Sequence, residues 1–342
     1  MIDAPASLPA SDIVSEATAR RTRGFGGWLL RRVATSIVVL LAVSLLVFLA
    51  TAVLPGDAAR AQLGPRAPEA QVEALRESMG LNRPLVERYG AWLLDLLGGD
   101  AGSSIIAKRP VTAMLATPAT NSLILGCVTM VLLVPLTLAL GLWSGLRANG
   151  MADSIIGVLV TICYAVPMFI VATMLIYVFA LRLRWLPAVS LLPAGESPLQ
   201  AAEILILPVV TLLLGSSAYL VRIVRARTIA VLDADFVEAA RLRGVSTSRL
   251  LLRHMLPSVL PPVIQVMVLY AASLVGGVVI VEAVFGYPGL GQELLRAVGS
   301  RDIPVVQAIA MLAATICVCG NLLADLLVIA LSPRLQAEVW AS

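Results

Sequence analysis

The sequence has few of the residues on which most enzymes depend. Its 342 residues include a single lysine, Lys108, a single histidine, His254, and only 13% charged residues. A P-loop needs a lysine within a glycine-rich motif, and Lys108 lies in Ile-Ala-Lys-Arg-Pro, so the chain carries no P-loop ATPase site. His254 has no acidic neighbour in the sequence, which disfavours catalysis by a histidine-activated nucleophile.

Cysteine is also scarce, and all four cysteines (Cys127, Cys163, Cys317 and Cys319) fall within apolar runs. Cys317 and Cys319 are two residues apart, so on a helix their side chains point in different directions. We therefore predict buried thiols, with no disulfide and no metal site.

Hydrophobic residues, in contrast, make up 59% of the chain, and the mean hydropathy is +0.93. A soluble domain has an apolar share of about half at most, so the bilayer is the expected solvent. Six runs are long enough to cross it as helices, which need about 20 residues each. They are Val33–Val53, Ala119–Leu146, Ile155–Leu181, Ile204–Val221, Val259–Val281 and Val305–Leu331. The predicted fold is all-α, with six transmembrane helices.

The distribution of arginine predicts the orientation. Residues 222–258 carry seven arginines against three acids, whereas residues 182–203 and 282–304 carry two arginines each. The positive-inside rule therefore places 222–258 and both termini in the cytoplasm. Because these basic residues flank apolar runs, we predict no nucleic-acid binding.

This orientation divides the chain into four parts. Residues 1–27 are predicted to be a disordered cytoplasmic tail, and 28–53 the first transmembrane helix. Residues 54–118 lie outside and contain two predicted helices, Glu69–Met79, which ends before Gly80, and Pro84–Leu97. They form either a cap over the pathway or two amphipathic helices on the membrane surface. Residues 119–342 form a five-helix core.

Several polar residues and prolines interrupt the predicted spans. Asn121, Asn321 and Asp325 are expected to face the protein interior, and Asp325 to bond a neighbouring helix. The prolines inside spans, which are expected to kink them, are Pro135, Pro167 and Pro208. Serines within a span, such as Ser216 and Ser217, leave an intramembrane enzyme as an alternative class.

The cytoplasmic loop contains a short predicted helix. Asp233 is its expected N-cap, acids follow in the first turns, and Gly244 ends it. A second helix is predicted from Ser246 to Pro257. The first helix has an apolar face made of Ile229, Leu232, Phe236, and Ala239 or Ala240. Spacing alone fits a partner groove and the membrane surface equally well.

Glu238-Ala239-Ala240, Gly244 and His254-Met255-Leu256-Pro257 together resemble the EAA loop by which permeases of ABC importers dock on their ATPases. The resemblance implies a type I ABC importer permease fold and docking through Asp235, Phe236, Val237, Glu238, Ala239, Ala240, Arg241, Gly244, His254 and Pro257.

Further motifs resemble the dipeptide, oligopeptide and nickel permease family, specifically the subunit with a long first outer loop. The resemblance covers residues 28–336 and rests on Arg31-Arg32, Pro55-Gly56-Asp57, Gly80 to Leu85, Gly99 to Ser103, Arg184 to Pro187, Glu282 to Gly291 and Arg301 to Gln307. Ala58 and Ser332-Pro333-Arg334 depart from the family pattern.

The resemblance implies an ATP-driven importer of di- or oligopeptides in the bacterial inner membrane. Nickel or another small solute is the alternative cargo. The implied partners are a homologous second permease, one or two kinds of ABC ATPase that bind ATP and Mg²⁺, and an extracytoplasmic solute-binding protein. No cofactor is expected in this chain.

One further segment is predicted to lie at the outer mouth of the pathway. It contains Gly286, Pro288, Gly289, Leu290 and Gly291, followed by residues 292–298. These last residues form either a short plug helix or a plain connecting loop.

Overall fold

Most of the residues that the structure describes lie in helices, which confirms the predicted all-α class. The computed structural model describes residues 10–53, 60, 63–64, 66–78, 80, 82–193, 195–250, 253 and 255–331. The helices in these ranges are α1 (Ala10–Val53), α2 (Glu69–Ser78), α3 (Leu85–Leu97), α4 (Val111–Leu146), α5 (Met151–Ala165), α6 (Met168–Leu175, continued by a π-helix, Ile176–Arg182), α7 (Glu203–Leu232), α8 (Asp235–Leu242), α9 (Thr247–Leu250), α10 (Leu256–Phe285), α11 (Leu290–Ser300) and α12 (Ile303–Leu331).

All six apolar runs lie in these helices. Four helical stretches are long and apolar enough to cross a membrane: Gly26–Ala52, Val111–Leu146, Glu203–Leu232 and Ile303–Leu327. The number rises to as many as six if two bent helix pairs each count as one span. The chain thus has the membrane-spanning content that its hydropathy predicts.

Two predicted boundaries differ from the structure. α1 begins at Ala10, so residues 10–27 of the predicted disordered tail are helical, whereas the apolar span within α1, Gly26–Ala52, agrees with the predicted span 28–53 to within two residues. The third run was predicted as one helix, but α5 and α6 are bent by 103° at Val166–Pro167. Pro167 has no backbone N–H and disfavours helical backbone at Val166, which is extended with φ −87° and ψ 125°. Pro135 and Pro208 lie inside continuous helices.

The core is centred on α7, which packs against α4, α5, α6 and α10. Leu212, Leu220 and Val224 of α7 are at most 1% exposed. Since lipid is as apolar as these side chains, close packing rather than water exclusion holds such helices together.

The packing of α4 on α7 is especially close at two glycines that are four residues apart, Gly141 and Gly145. These glycines face Val224 and Thr228, and a Cβ at Gly145 would lie 2.6 Å from the Thr228 Cβ. This is the small-residue spacing that allows two membrane helices to approach closely.

α1 is attached to α12 by polar contacts near both ends. Arg32 forms an ion pair with Asp325, which confirms that Asp325 bonds a neighbouring helix. Gln307 donates to the Thr51 hydroxyl at 2.7 Å. These two contacts fix α1 along the length of α12.

In the outer segment, α2 and α3 match the predicted helices to within about one residue at each end. α3 packs against α1, since the Tyr89 and Trp92 rings lie 5.5 and 5.7 Å from the Phe48 ring. Tyr89 also hydrogen-bonds Ser44 across a distance of 2.8 Å. The aromatic face of α3 therefore packs on α1, while the role of this segment as a cap over the pathway stays a prediction.

Candidate site: the cytoplasmic docking segment and the outer turn

The predicted docking helix is α8, but its start differs from the prediction. Asp233 is the C-cap of α7, because its N–H bonds the Ile229 carbonyl at 3.0 Å, and α8 begins at Asp235. Ile229 and Leu232 consequently belong to α7 and do not extend the apolar face of α8. The predicted end is correct, since Gly244 follows α8 with a φ of +76°, a conformation that favours glycine.

α8 packs on the protein through apolar side chains, of which Val237 is buried and Ala240 is partly buried. Val237 is fully buried and packs in a small cluster with Leu250 and Met255. Leu250 ends α9 and Met255 precedes α10, so this cluster joins α8 to the part of the loop that re-enters the membrane. Within the predicted helix from Ser246 to Pro257, α9 (Thr247–Leu250) and the start of α10 at Leu256 are helical, and Leu251, Leu252 and His254 lie outside the described residues.

The remaining predicted docking residues divide by exposure. Asp235, Phe236, Glu238, Gly244 and Pro257 are exposed, and Ala239 and Ala240 are partly buried. Phe236 is 45% exposed, an apolar ring on a helix outside the apolar runs. The backbone of Arg241 lies in α8, and its side chain and His254 lie outside the described residues, as do Pro55-Gly56-Asp57, Ala58 and Ser332-Pro333-Arg334.

An ion pair that sequence reasoning missed joins α7 to α5 on the same side of the membrane. Arg225 donates to Asp153 through Nε at 2.6 Å and Nη2 at 2.7 Å. Asp153 also accepts hydrogen bonds from the Ser144 hydroxyl and the Asn149 N–H. α4, α5 and α7 are thus bonded together close to α8. In the sequence, the spacing of Gly141 and Gly145 indicates that α4 approaches another helix closely, but it does not identify α7 as that helix.

At the outer end, the segment from Gly286 to Gly291 is a turn closed on one buried acid. Glu282 is fully buried, accepts from the Gly291 N–H at 2.6 Å, and is bonded to the Ser122 hydroxyl at 2.5 Å. The predicted span ended at Val281, but α10 continues to Phe285, so Glu282 is an acid within this helix.

The outer turn is also bonded to α4. Asn121 is buried, donates to the Pro288 carbonyl at 2.8 Å, and its own carbonyl accepts from the Tyr287 hydroxyl at 2.9 Å. Gly286 ends α10 with a φ of +60°, and Leu290 is buried. The following residues form α11, so the predicted short helix is confirmed and the plain connecting loop is wrong.

Two of the quoted motifs, distant in sequence, meet beside this turn. Asp302 accepts hydrogen bonds from the Ser104 hydroxyl and, at 3.0 Å, from the Ile105 N–H, across 198 and 197 residues of chain. The outer loop before α4 is thus fixed to the junction of α11 and α12.

These features define a multi-pass membrane protein in which a short exposed helix, α8, is presented on one side of a close-packed helical core. The outer turn, Gly286 to Gly291, is held by buried hydrogen bonds and lies at the ends of the core helices opposite to α8. This arrangement is typical of a transporter subunit.

The comparisons with known proteins are specific. Residues 137–337 match the family described as binding-protein-dependent transport system inner membrane component, and residues 27–140 match the N-terminal region described for such membrane components. The chain belongs to this family and is a multi-pass protein of the bacterial inner membrane.

Individual relatives match along nearly their whole length. A probable peptide ABC transporter permease protein, y4tP, of Sinorhizobium fredii is 33% identical, over 91% of this chain and 99% of the relative. The glutathione transport system permease protein GsiC of Pectobacterium atrosepticum is 35% identical, over 90% and 98%. The oligopeptide transport system permease protein AppB of Bacillus subtilis is 33% identical, over 90% and 99%.

Proposed function

We propose that this chain is the permease subunit of an ATP-driven importer of di- or oligopeptides, and that α8 docks it on a partner ATPase. The observation that carries the docking role is the position of α8. Val237 anchors the helix from below, while Asp235, Phe236 and Glu238 remain exposed on the outer side. A short helix with an exposed aromatic ring and charges fits a groove on a partner.

In this proposal, the energy for transport comes from ATP hydrolysis by a partner subunit. The single lysine lies in no P-loop, so ATP and Mg²⁺ bind the partner ATPase subunits, of one or two kinds. A homologous second permease completes the membrane pathway, and an extracytoplasmic binding protein delivers the solute. No cofactor is assigned to this chain.

The proposed coupling starts with nucleotide-driven closure of the ATPases, which moves α8. The cluster of Val237, Leu250 and Met255 passes this movement to α10, and the Arg225–Asp153 pair keeps α5 and α7 moving as one unit. Such switching between outward and inward openings requires contacts that differ between two states.

A charge reversal on α8 tests the docking role. In the complete reconstituted importer, Glu238→Lys is expected to reduce solute-stimulated ATPase activity and transport together, by about tenfold, while the permease still inserts in the membrane. Glu87→Lys on α3, at a glutamate that is also exposed but lies outside the predicted cytoplasmic loop, is the matched control. Unchanged coupling in Glu238→Lys would refute docking through α8.

The solute is proposed from the relatives, of which two named above are peptide or oligopeptide permeases and one is a glutathione permease. Uptake of radiolabelled trialanine, glutathione and nickel ions by vesicles containing the whole importer and its binding protein separates these cargoes. Saturable, ATP-dependent uptake of trialanine supports the proposal, whereas uptake of nickel alone contradicts it.

We also propose that α11 lies at the outer mouth, where it contacts the binding protein. Leu295 is 53% exposed on α11, which makes it a better crosslinking position than its partly buried neighbour Leu294. A cysteine at Leu295 is expected to crosslink to the binding protein. The absence of an adduct in every nucleotide state would contradict this position.

A further inference from the structure

Arg222 of α7 has an unusual environment for an arginine next to an apolar run. It is exposed, its Nη2 donates to the Thr161 hydroxyl of α5 at 2.9 Å, and its guanidinium carbon lies 5.7 Å from the centre of the Tyr164 ring. Arg225, one turn away, has Asp153 as an ion-pair partner, whereas Arg222 has no acidic partner within the ranges that the structure describes. Its charge is therefore available to a ligand.

The Arg222 side chain extends toward the end of α5 that carries the break at Val166–Pro167. Arg222 and Arg225 are three residues apart, a rise of about 4.5 Å along α7. Their partners on α5, Thr161 and Asp153, are eight residues apart, a rise of about 12 Å. Arginines that face lipid extend toward the nearest water instead, because a guanidinium within hydrocarbon is costly. The surface around Arg222 is therefore not covered by lipid.

A break in a membrane helix lies on the same surface. α5 ends three residues before Met168, whose side chain packs where a Cβ on Gly215 would be. Gly215 is near the midpoint of α7 (Glu203–Leu232), so the extended backbone at Val166–Pro167 lies at mid-membrane depth. Non-helical backbone at this depth occurs where it is buried in protein or lines a water-filled cavity, and Pro167 is exposed.

Exposed aromatic residues continue this surface. Tyr164, directly before the break, is 64% exposed, and Tyr219, three residues from Arg222, is 49% exposed. The Tyr219 ring stacks on Tyr270 of α10 at 6.1 Å. Broken helices with polar groups beside the break form solute sites in other classes of transporter, which is the arrangement here.

We propose that Arg222, together with Thr161 and Tyr164, binds the carboxylate of the transported solute on the wall of the translocation pathway. A guanidinium binds a carboxylate through two parallel hydrogen bonds, and the Thr161 hydroxyl holds it in place when no solute is present. The Tyr164 ring supports the cation from one side. The solute class rests on the proposed function, since a peptide carries a C-terminal carboxylate.

Thiol labelling tests the site without requiring transport. The four cysteines are replaced by alanine, Thr161→Cys is introduced, and inside-out vesicles containing the whole importer are treated with two methanethiosulfonate reagents, one with an anionic sulfonate group and one with a cationic trimethylammonium group. Leu159→Cys is the matched control, because Leu159 is also exposed but two residues away, and so on the opposite side of α5.

Both reagents are expected to modify Thr161→Cys and not Leu159→Cys. Adding Arg222→Gln is expected to lower the ratio of the anionic to the cationic rate by about fivefold, because one positive charge near the thiol is lost. Arg182→Gln should leave the ratio unchanged, although Arg182 also lies over a tyrosine ring, that of Tyr177.

Two outcomes overturn the proposal. Protection of Thr161→Cys from both reagents means that lipid or a partner helix covers the surface, and an unchanged rate ratio in Arg222→Gln means that Arg222 does not attract anions there. Loss of docking or of peptide uptake would leave these ratios unaltered, so failure of the proposed function is distinguishable from failure of the site.

Discussion

Arg225 and Asp153 form a bidentate ion pair that joins α7 to the first turn of α5, with donor–acceptor distances of 2.6 and 2.7 Å. The pair lies between the membrane core and the proposed docking helix. Asp153 is only 8% exposed, and its carboxylate also accepts from Ser144 and Asn149. The carboxylate is therefore the centre of the contact.

Replacing Arg225 by alanine is expected to destabilise the protein by about 2 kcal/mol, because the buried Asp153 carboxylate loses its charged hydrogen-bond partner. Thermal unfolding in detergent should show a melting temperature that is about 3 °C lower, because the shift per kcal/mol is small for a chain of this length. The exchanged pair Asp153→Arg with Arg225→Asp should not restore it, since the Ser144 and Asn149 donors would then face an arginine. Arg227→Ala, at an exposed arginine of the same helix, is the control, and an equal loss there would contradict the prediction.

Gly145→Ala is expected to destabilise the close contact of α4 and α7. The added methyl group would lie 2.6 Å from the Thr228 Cβ, so the helices must separate or the side chain must shift. Overpacking of this kind costs about 1–3 kcal/mol. Gly126→Ala, on the same helix with open space at its Cβ, should have no destabilising effect. Comparable melting temperatures for the two variants would show that the contact is not close.

Glu282→Gln should loosen the outer turn, because the amide cannot accept from both Ser122 and the Gly291 N–H as the carboxylate does. A loss of about 2 kcal/mol in local stability corresponds to roughly thirtyfold faster hydrogen exchange. Mass spectrometry of residues 286–300 measures this rate. Glu293→Gln removes only a contact with Arg296 three residues away and should leave the rate nearly unchanged. Equal rates in both variants would contradict the role of Glu282.

Asp302→Ala should release the outer loop, since it removes the acceptor for Ser104 and Ile105. Lys108, the single lysine of the chain, lies in that loop. A lysine-specific protease therefore cuts at one position, and its rate reports loop opening. We expect roughly tenfold faster cleavage, equivalent to about 1.4 kcal/mol. Asp95→Ala, at an exposed position of α3, is the control, and unchanged cleavage in Asp302→Ala would show that the loop is held by other contacts.

Several polar residues and one proline show which contacts could be predicted from the sequence and which could not. Asn121 was correctly predicted to face the interior and Asp325 to bond a neighbouring helix, because a polar group in a membrane helix needs a partner. Pro167 was correctly predicted to kink a helix, but the sequence did not predict the 103° angle between α5 and α6. Asp233 was assigned to the wrong helix end, since an aspartate between two helices fits either role by sequence alone.

Composition and periodicity alone determined which segments of this chain enter the membrane and which part forms an exposed helix ending at Gly244. Transfer of apolar side chains and local backbone preferences decide those features, and both depend on neighbouring residues in the sequence. Only the tertiary structure decided the partners of the polar groups: Asp153 with Arg225, Ser104 with Asp302, Arg222 with Thr161. Which polar groups pair depends on which helices pack together and on how far each helix is shifted along its neighbour. The neighbouring residues in the sequence determine neither of these.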